Sequence, residues 1–253
     1  MTNPSILSII IPAYNEQRTL PVIIQEVLKV KLPNSIQKEI IVINDCSTDG
    51  THEAMTAFLE THPNEPIKYF RHEVNQGKGG AIHTGIREAT GDLLIIQDAD
   101  TETDPNEYEL LLWPVLKGHA DVVFGSRYIG GRPHRKLFFL HSFGNKLLTF
   151  ISNLFTNLNL TDMETCYKLF KMQDIKRLNL KEKRFGFEPE VTAKISKIPN
   201  IRIYEVGISY YGRTRKDGKK IGWKDAFRTL FCIVWYNVMD KSYLKREVTS
   251  SVT

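Results

Sequence analysis

Cysteine is scarce in this sequence, which has only three such residues in 253. Cys46, Cys166 and Cys232 lie far apart, form no CxxC pair and have no histidine at a metal-ligand spacing. A zinc site or a disulfide framework is therefore not expected. Sparse cysteine of this kind is typical of a reducing cytoplasm, which is the localisation we expect.

Long hydrophobic runs are also missing. The longest covers residues 230–236, far short of the roughly 20 residues that a helix needs to cross a bilayer. No basic segment followed by an apolar one opens the chain, so no signal peptide is predicted. The sequence predicts at most a peripheral contact with the cytoplasmic face of a membrane.

Positive charge is in modest excess, with a net charge of +5 and a pI of about 9.0. This excess suits an anionic partner such as a nucleotide, a lipid phosphate or an acidic membrane surface. A mildly basic protein without such a partner fits the charge equally well. Hydrophobic residues make up 42% of the chain, which is enough for a substantial core.

The first half of the chain alternates between two kinds of pattern. Apolar runs at 7–11 (interrupted only by Ser8), 40–43 and 93–96 predict strands that are buried on both faces, as in a parallel sheet, and 121–125 predicts another. Helices are predicted between them at 18–30, 51–61, 79–89 and 105–117, the last with a capping box from Asp104 to Glu107. This alternation indicates an open α/β sheet with its site at the carboxyl ends of the strands.

The second half is less regular. Residues 137–158 carry apolar side chains at a helical spacing with a polar opposite face, and 226–244 predict a last helix. Either helix fits the core or a membrane surface. We expect one catalytic domain over 1–222, divided into halves at 1–130 and 131–222, a C-terminal helix at 223–245 and a disordered tail at 246–253.

The turn after the first strand contains no glycine. A dinucleotide-binding turn needs G-x-G-x-x-G, so the NAD-binding fold is disfavoured. Tyr14 and Glu16 can instead stack on a base and hydrogen-bond its edge, and Asp45 is a further candidate after the second strand. At the start of the third helix, the N–H of Gly77 and the ammonium of Lys78 suit a phosphate, although such a turn is often only a turn.

Two carboxylates follow the buried run at 93–96, in the sequence Gln-Asp-Ala-Asp. Asp98 and Asp100 repel each other unless a cation lies between them, and hard oxygen ligands favour Mg²⁺ or Mn²⁺. A metal here can hold a donor diphosphate and neutralise a departing nucleotide. Glu102 can add a further oxygen. The alternative is a solvated turn, which is less expected after a fully apolar strand.

Together these motifs resemble the donor-binding half of the family-2 glycosyltransferases, whose fold is called GT-A. The resemblance rests on Ile-Pro-Ala-Tyr-Asn-Glu, Asn-Asp-Cys-Ser-Thr-Asp-Gly, Asn-Gln-Gly-Lys-Gly and Asp-Ala-Asp, in this order within residues 6–130. It implies a metal held by Asp98, Asp100 and Glu102. The nucleotide-sugar site that it implies consists of Pro12, Tyr14, Glu16, Asp45, Gly77, Lys78, Asp98 and Ala99.

The second half is similar to the dolichyl-phosphate mannose synthases and their glucose-transferring relatives. The similarity lies in Gly-Ser-Arg-Tyr at 125–128, Thr-Asp-Met-Glu-Thr-Cys-Tyr-Lys at 161–168 and Phe-Gly-Phe-Glu-Pro-Glu at 185–190. It implies inverting transfer of a hexose from a UDP- or GDP-sugar to a polyprenyl phosphate. Cys166 departs from the usual glycine, and the basic loop at 213–220 departs from a short Gly-Glu-Ser-Lys. The candidate catalytic residues are Asp100, Arg127, Glu188 and Glu190.

The acceptor is expected to meet two basic segments, one before the helix at 137–158 and one in the loop at 213–220. The candidate acceptor-binding residues are Arg127, Arg132, Arg135, Lys136, Arg213 and Lys219. A solvated basic face is the alternative for these residues. For the whole chain, the alternatives are a hydroxyl acceptor (a glycan, a lipid or a small molecule) and a sugar-nucleotide-binding module without turnover. No nucleic-acid partner is expected.

Overall fold

The computed structural model describes residues 4–133, 135, 139–212 and 223–244. Three of the predicted acceptor-binding residues (Lys136, Arg213 and Lys219) and the predicted tail lie outside the described residues. Within them, one mixed sheet of seven strands has helices on both faces, which confirms the predicted α/β class. No helix among the described residues is both long and apolar enough to cross a membrane.

The strand order is β3-β2-β1-β4-β6-β5-β7. β6 is antiparallel to its two neighbours, and the remaining pairs are parallel. The continuous apolar runs form the central strands because a strand covered by helices on both sides needs no polar face; all four residues of β4 are buried. The strands are β1 (Ile6–Ala13), β2 (Gln37–Asn44), β3 (Ile67–Arg71), β4 (Leu93–Ile96), β5 (Val122–Ser126), β6 (Lys168–Lys171) and β7 (Ile203–Gly207).

The helices are α1 (Leu20–Lys29), α2 (Thr51–Thr61), α3 (Lys78–Glu88), α4 (Tyr108–Leu116), α5 (Phe139–Thr156), α6 (Met172–Arg177), α7 (Phe187–Ile195) and α8 (Trp223–Val234). A π-helical turn, Trp235–Met239, extends α8. The helix predicted at 226–244 therefore ends earlier than expected. Residues 240–243 have no regular secondary structure, and Leu244 pairs with Leu178 in an isolated bridge.

The capping box predicted before α4 forms only in part. The Asp104 side chain accepts a hydrogen bond from the N–H of Asn106 at 2.9 Å, as a cap should. The Glu107 carboxylate, however, accepts from the backbone N–H of Ser209 at 2.8 Å and from its hydroxyl at 2.7 Å. A short 3₁₀ turn, Pro105–Glu107, replaces the first helical turn. Glu107 therefore joins the start of α4 to the segment that follows β7, at Ser209, instead of completing the capping box.

Helix α5 turns its polar face to the protein. Asn145, Thr149 and Ser152 are buried, whereas Phe143 and Leu154 on the apolar stripe are exposed. The sequence pattern left the core and a membrane surface open as environments for this stripe. The described structure places the stripe outside the core.

Candidate functional site

The site lies where the carboxyl ends of β1, β2, β4 and β5 meet. β1 pairs in parallel with β2 and with β4, so the residues that follow these strands reach one edge of the sheet. β5 points the same way, because both β4 and β5 are antiparallel to β6. β6 therefore brings its first residue, Lys168, to this edge. The topology gathers Asp45, Asp98, Arg127 and Lys168 from four separate strands.

The Asp45 carboxylate organises the loop that precedes α3. It accepts hydrogen bonds from the backbone N–H groups of Gln76 at 2.8 Å and Gly77 at 2.7 Å. Its Oδ1 also lies 2.7 Å from Nδ1 of His72. Through these bonds the buried Asp45 carboxylate fixes the loop that carries Lys78. A direct contact of Asp45 with the nucleoside stays a prediction.

Glycine is required at position 77. Its φ of 86° lies in the left-handed region, and a Cβ there would come 2.5 Å from the carbonyl oxygen of Lys183. The close approach packs the loop at 182–184 against the start of α3. It leaves Lys78 as the first residue of the helix.

Lys78 joins the predicted donor and catalytic residues. Its Nζ lies 2.8 Å from Oδ1 of Asp98 and 3.6 Å from Oε1 of Glu188. Burial disfavours the charged form of each group, but the attraction between them outweighs it. The pKa of Lys78 is raised well above its usual value and the pKa of Asp98 is lowered. The two groups are therefore held as an ion pair.

Glu188 is held by two lysines. Its Oε2 accepts from Nζ of Lys168 at 2.7 Å, and Lys168 is completely buried. No role was predicted for Lys168, although it lies in the motif at 161–168. The other oxygen, Oε1, is buried without a hydrogen-bond partner among the described residues.

Glu164 was also missed. Its Oε1 is the second buried carboxyl oxygen of this site without a hydrogen-bond partner in the described part of the chain. Burial, followed by the charge of Glu188, raises the pKa of Glu164 to about 7. The signal was its place between Asp162 and Lys168 in a motif that already pointed to the site.

The guanidinium of Arg127 is paired with the carboxylate of Asp162. Its Nε and Nη2 donate to the two oxygens of Asp162 at 2.6 and 2.7 Å, and its guanidinium lies 5.2 Å from the centre of the Tyr210 ring. Burial disfavours its charge, but Asp162 more than compensates and raises the pKa of Arg127 well above its usual value. Arg127 is therefore a fixed cation, and its contact with an acceptor stays a prediction.

The other predicted acceptor residues differ in environment. Arg132 is half-exposed, with Nε 3.9 Å from a Glu107 oxygen. Arg135 is exposed, and its Nη1 donates to the carbonyl of Gly212 at 3.0 Å. On the donor side, Tyr14 is partly exposed, Pro12 lies near the end of β1, and Ala99 is buried in the turn after β4. The Glu16 carboxylate accepts from the hydroxyl of Thr19 at 2.6 Å.

The predicted metal ligands follow one another after β4. Asp100 Oδ1 accepts from the N–H of Glu102 at 3.0 Å, and Oε2 of Glu102 accepts from the hydroxyl of Tyr210 at 2.7 Å. Their hard carboxylate oxygens fit the preference of Mg²⁺ and Mn²⁺. The described residues contain no ready-made cluster of three ligating side chains, since Asp98 faces Lys78. The chemistry of these three carboxylates thus fits a divalent cation.

The contacts of Glu190 do not support the catalytic role predicted for it. Its oxygens accept from the backbone N–H groups of Lys181 and Glu182 and from Nζ of Lys194, at 2.6 to 3.0 Å. Lys194 is itself completely buried and lies 3.4 Å from Asp240. These bonds fill the carboxylate and anchor the loop at 181–182 to α7. Spacing along the motif could not distinguish this residue from Glu188.

Comparisons with known proteins show which family the chain resembles. The family model of glycosyl transferase family 2 matches residues 8–178. The chain is 31% identical over 229 residues to a dolichyl-phosphate beta-glucosyltransferase of Dictyostelium discoideum, covering 85% of this chain and 68% of that protein. It is 30% identical over 257 residues to the Drosophila melanogaster protein of the same name, covering 91% and 75%.

Solved structures share the fold. Glucosyl-3-phosphoglycerate synthase from Mycobacterium tuberculosis, in complex with Mn²⁺, UDP and phosphoglyceric acid, matches with a TM-score of 0.70 at 15% identity, covering 94% of this chain and 80% of that one. The same enzyme with Mg²⁺ and UDP matches with a TM-score of 0.67. The protein is a hexosyltransferase of the GT-A fold. It belongs to glycosyltransferase family 2, in the branch that contains the dolichyl-phosphate beta-glucosyltransferases.

Proposed function

We propose that this protein transfers a glucosyl residue from UDP-glucose to a polyprenyl phosphate, with inversion at the anomeric carbon. The names of the relatives support glucose as the transferred sugar and a polyprenyl phosphate as the acceptor. The UDP bound in the structural neighbours supports uridine as the nucleoside of the donor. These relatives give no support to GDP-mannose. The observation that carries the proposal is the ion-pair cluster of Lys78, Asp98, Glu188 and Lys168 at the carboxyl edge of the sheet, with Glu188 and Lys168 buried and the other two partly buried.

On the donor side, Lys78 places a cation beside the carboxylates. Lys78 lies at the N-terminus of α3, where a helix favours negative charge, so its ammonium can exchange Asp98 for a donor phosphate. Asp100 and Glu102, with Asp98, would hold a divalent metal. When bound, that metal supplies positive charge against the departing diphosphate. Asp45 keeps the loop that carries Lys78 in place through the N–H groups of Gln76 and Gly77.

On the acceptor side, a phosphate brings its own nucleophile. A phosphate monoester has a second pKa near 6, so at neutral pH it is mostly a dianion that needs no general base. Arg127, held rigid by Asp162 and stacked near Tyr210, is a suitable cation to orient it. Glu188 is already committed to two lysines. A negatively charged phosphate acceptor therefore suits this site better than a hydroxyl acceptor, which must lose a proton as it attacks.

A hydroxyl acceptor is the second candidate, and Glu164 is the observation in its favour. A carboxyl with a pKa of about 7 can take a proton from an attacking hydroxyl near neutral pH. If Glu164 is this base, Glu164→Gln is inactive while donor binding persists. If the acceptor is a phosphate, Glu164→Gln keeps measurable activity.

A donor screen tests the proposed reaction. The purified protein is incubated with Mg²⁺, a polyprenyl phosphate and one labelled donor at a time: UDP-glucose, UDP-galactose or GDP-mannose. We expect organic-soluble label from UDP-glucose, released by mild acid as a glycosyl phosphate should be. Preferential use of GDP-mannose would contradict the proposed donor.

A further inference from the structure

The loop between α6 and α7 contains four consecutive charged residues, Lys-Glu-Lys-Arg at 181–184. Residues of these types are mostly exposed in proteins. Three of the four are exposed here, but Glu182 is buried. Burying a carboxylate is costly unless it is hydrogen-bonded, so the partners of Glu182 indicate what holds this loop.

The Glu182 carboxylate is bound by helix α8 and by the π-helical turn that extends it. Its Oε1 accepts a hydrogen bond from Nη2 of Arg228 at 2.6 Å and another from the hydroxyl of Tyr236 at 2.8 Å. The neighbouring Lys181 donates through Nζ to Oδ2 of Asp240 at 2.8 Å, directly after that turn. Two consecutive loop residues are therefore bound to α8 and the segment that follows it.

The backbone of the same loop contacts the first turn of α3. The carbonyl of Lys183 accepts a hydrogen bond from the N–H of Gly80 at 2.9 Å. The carbonyl of Glu182 lies so close to Gly79 that a Cβ at position 79 would collide with it. Both contacts require the loop backbone to lie directly against the start of the helix, as it also does at Gly77.

A fixed helix start is what a donor phosphate requires, because the first N–H groups of a helix attract an anion only where they converge on it. Asp45 holds the residues before α3 through the N–H of Gly77. The loop at 182–184 contacts the first turn itself, next to Lys78. Glu182 thus connects α8, through its side chain, to the predicted donor site, through its backbone.

We propose that Glu182 is a positioning residue for the donor: its side chain, held by α8, keeps the loop at 182–184 against the start of α3 and so keeps Lys78 in place for a donor phosphate. The proposal rests on the proposed function, because it takes the start of α3 as the place where the donor binds. Coupling between two sites is reciprocal. A bound nucleotide therefore also stabilises α8 through Glu182.

Nucleotide binding to variants of Glu182 tests this connection. Isothermal titration calorimetry of the purified full chain with UDP and Mg²⁺ gives a Kd for each variant. Glu182→Ala, which removes the carboxylate, should raise this Kd by at least about tenfold, as coupling between sites commonly does. Glu182→Gln keeps an oxygen that can accept from Arg228 and Tyr236, and its Kd should stay within about threefold of that of the parent. The bonds made by Glu190 are present in both variants.

A matched control separates lost positioning from lost stability. Glu39→Ala also removes a buried carboxylate with several hydrogen bonds, from Ser8, Lys68 and Thr90, but near the amino end of β2 and away from the site. We expect Glu39→Ala to bind UDP as the parent does. Initial rates add a second distinction, because Glu182→Ala should raise the KM for UDP-glucose and leave the KM for the polyprenyl phosphate unchanged.

Hydrogen exchange follows the same connection without a substrate. In unliganded Glu182→Ala, the amides of residues 79–81 should exchange at least about tenfold faster than in the parent, while those of α1 should not change. In the parent, UDP with Mg²⁺ should slow exchange in α8, and Glu182→Ala should abolish this slowing. If Glu182→Ala does not fold, Arg228→Met takes its place, since the Arg228 side chain is half-exposed and its loss is tolerated more easily.

Three results would overturn the positioning role: a folded Glu182→Ala that binds UDP like the parent, an equal loss of affinity in Glu39→Ala, or unchanged exchange at residues 79–81. A parent that binds GDP and not UDP refutes the proposed donor alone, and the variants are then compared with GDP. A parent that binds neither nucleotide refutes the donor site. Exchange at residues 79–81 in the unliganded protein then still decides whether Glu182 holds the start of α3.

Discussion

Glu164 offers a quantitative test of the buried site. Its carboxyl is enclosed with Glu188, and burial is the main reason that its pKa rises from 4.5 to about 7. Ionising it in the folded protein is therefore roughly 3 kcal/mol more costly than ionising it in the unfolded chain. Replacing Glu164 with Gln removes the titrating group and keeps nearly the same shape.

The sign of the effect follows from proton binding. Below pH 4.5 the carboxyl is protonated in both states and contributes nothing to the pH dependence. Between pH 4.5 and about 7 the unfolded chain ionises first, so the folded protein binds more protons and its stability falls as pH rises. Above about pH 7 the full cost is present. The charges of Lys168 and Arg127 act in the opposite direction and reduce the rise in the pKa of Glu164.

Urea unfolding at a series of pH values between about 5 and 8 measures the difference. The free energy of unfolding of Glu164→Gln minus that of the parent should grow by roughly 2–3 kcal/mol across this range. Glu109→Gln, at an exposed position on α4, is the matched control for the loss of a glutamate. A difference for Glu164→Gln that stays constant within about 0.5 kcal/mol would refute the reasoning, because the carboxyl would then titrate alike in both states.

Three further predictions concern activity and folding. Asp100→Asn should slow transfer by on the order of 10²–10⁴ if it removes a metal ligand, whereas Asp49→Asn should keep the rate; full activity in EDTA would contradict the metal. Arg127→Ala is made together with Asp162→Asn, so that no buried carboxylate stays unpaired. This double variant should raise the acceptor KM by at least about tenfold, and an equal rise in the donor KM would assign Arg127 and Asp162 to the donor side. Glu190→Gln should lower stability by about 1.5–3 kcal/mol, because Lys194 loses a charged hydrogen-bond acceptor and keeps only Asp240, at 3.4 Å, as a buried counter-charge. Each folded molecule should remain active; a folded but inactive variant would restore Glu190 as a catalytic residue.

Much of the fold follows from local patterns. The run at 93–96 is wholly apolar and the run at 7–11 is apolar except for Ser8, as a strand covered by helices on both faces requires, and they form β4 and β1. Because parallel strands end at one edge, the residues after them had to meet there. The contact between Lys78 and Asp98 is a direct result of this topology.

Long-range contacts could not be predicted from the same patterns. Periodicity divides α5 into two faces, but only the bonds from Asn145 to Asp162 and from Met163 to Thr149 decide which face is inside. Spacing likewise does not distinguish Glu188, which faces Lys78, from Glu190, which holds the loop at 181–182. Burial, which gives Glu164 its unusual pKa, is a property of the folded chain alone.

The central claim is that the acceptor is a phosphate that needs no general base, and a matched pair of acceptors tests it most directly. The protein is given UDP-glucose, Mg²⁺ and either a polyprenyl phosphate or the corresponding polyprenol, with initial rates followed as organic-soluble label. The account predicts transfer to the phosphate only, with activity retained in Glu164→Gln. Transfer to the polyprenol at a comparable rate, abolished by Glu164→Gln, would contradict it.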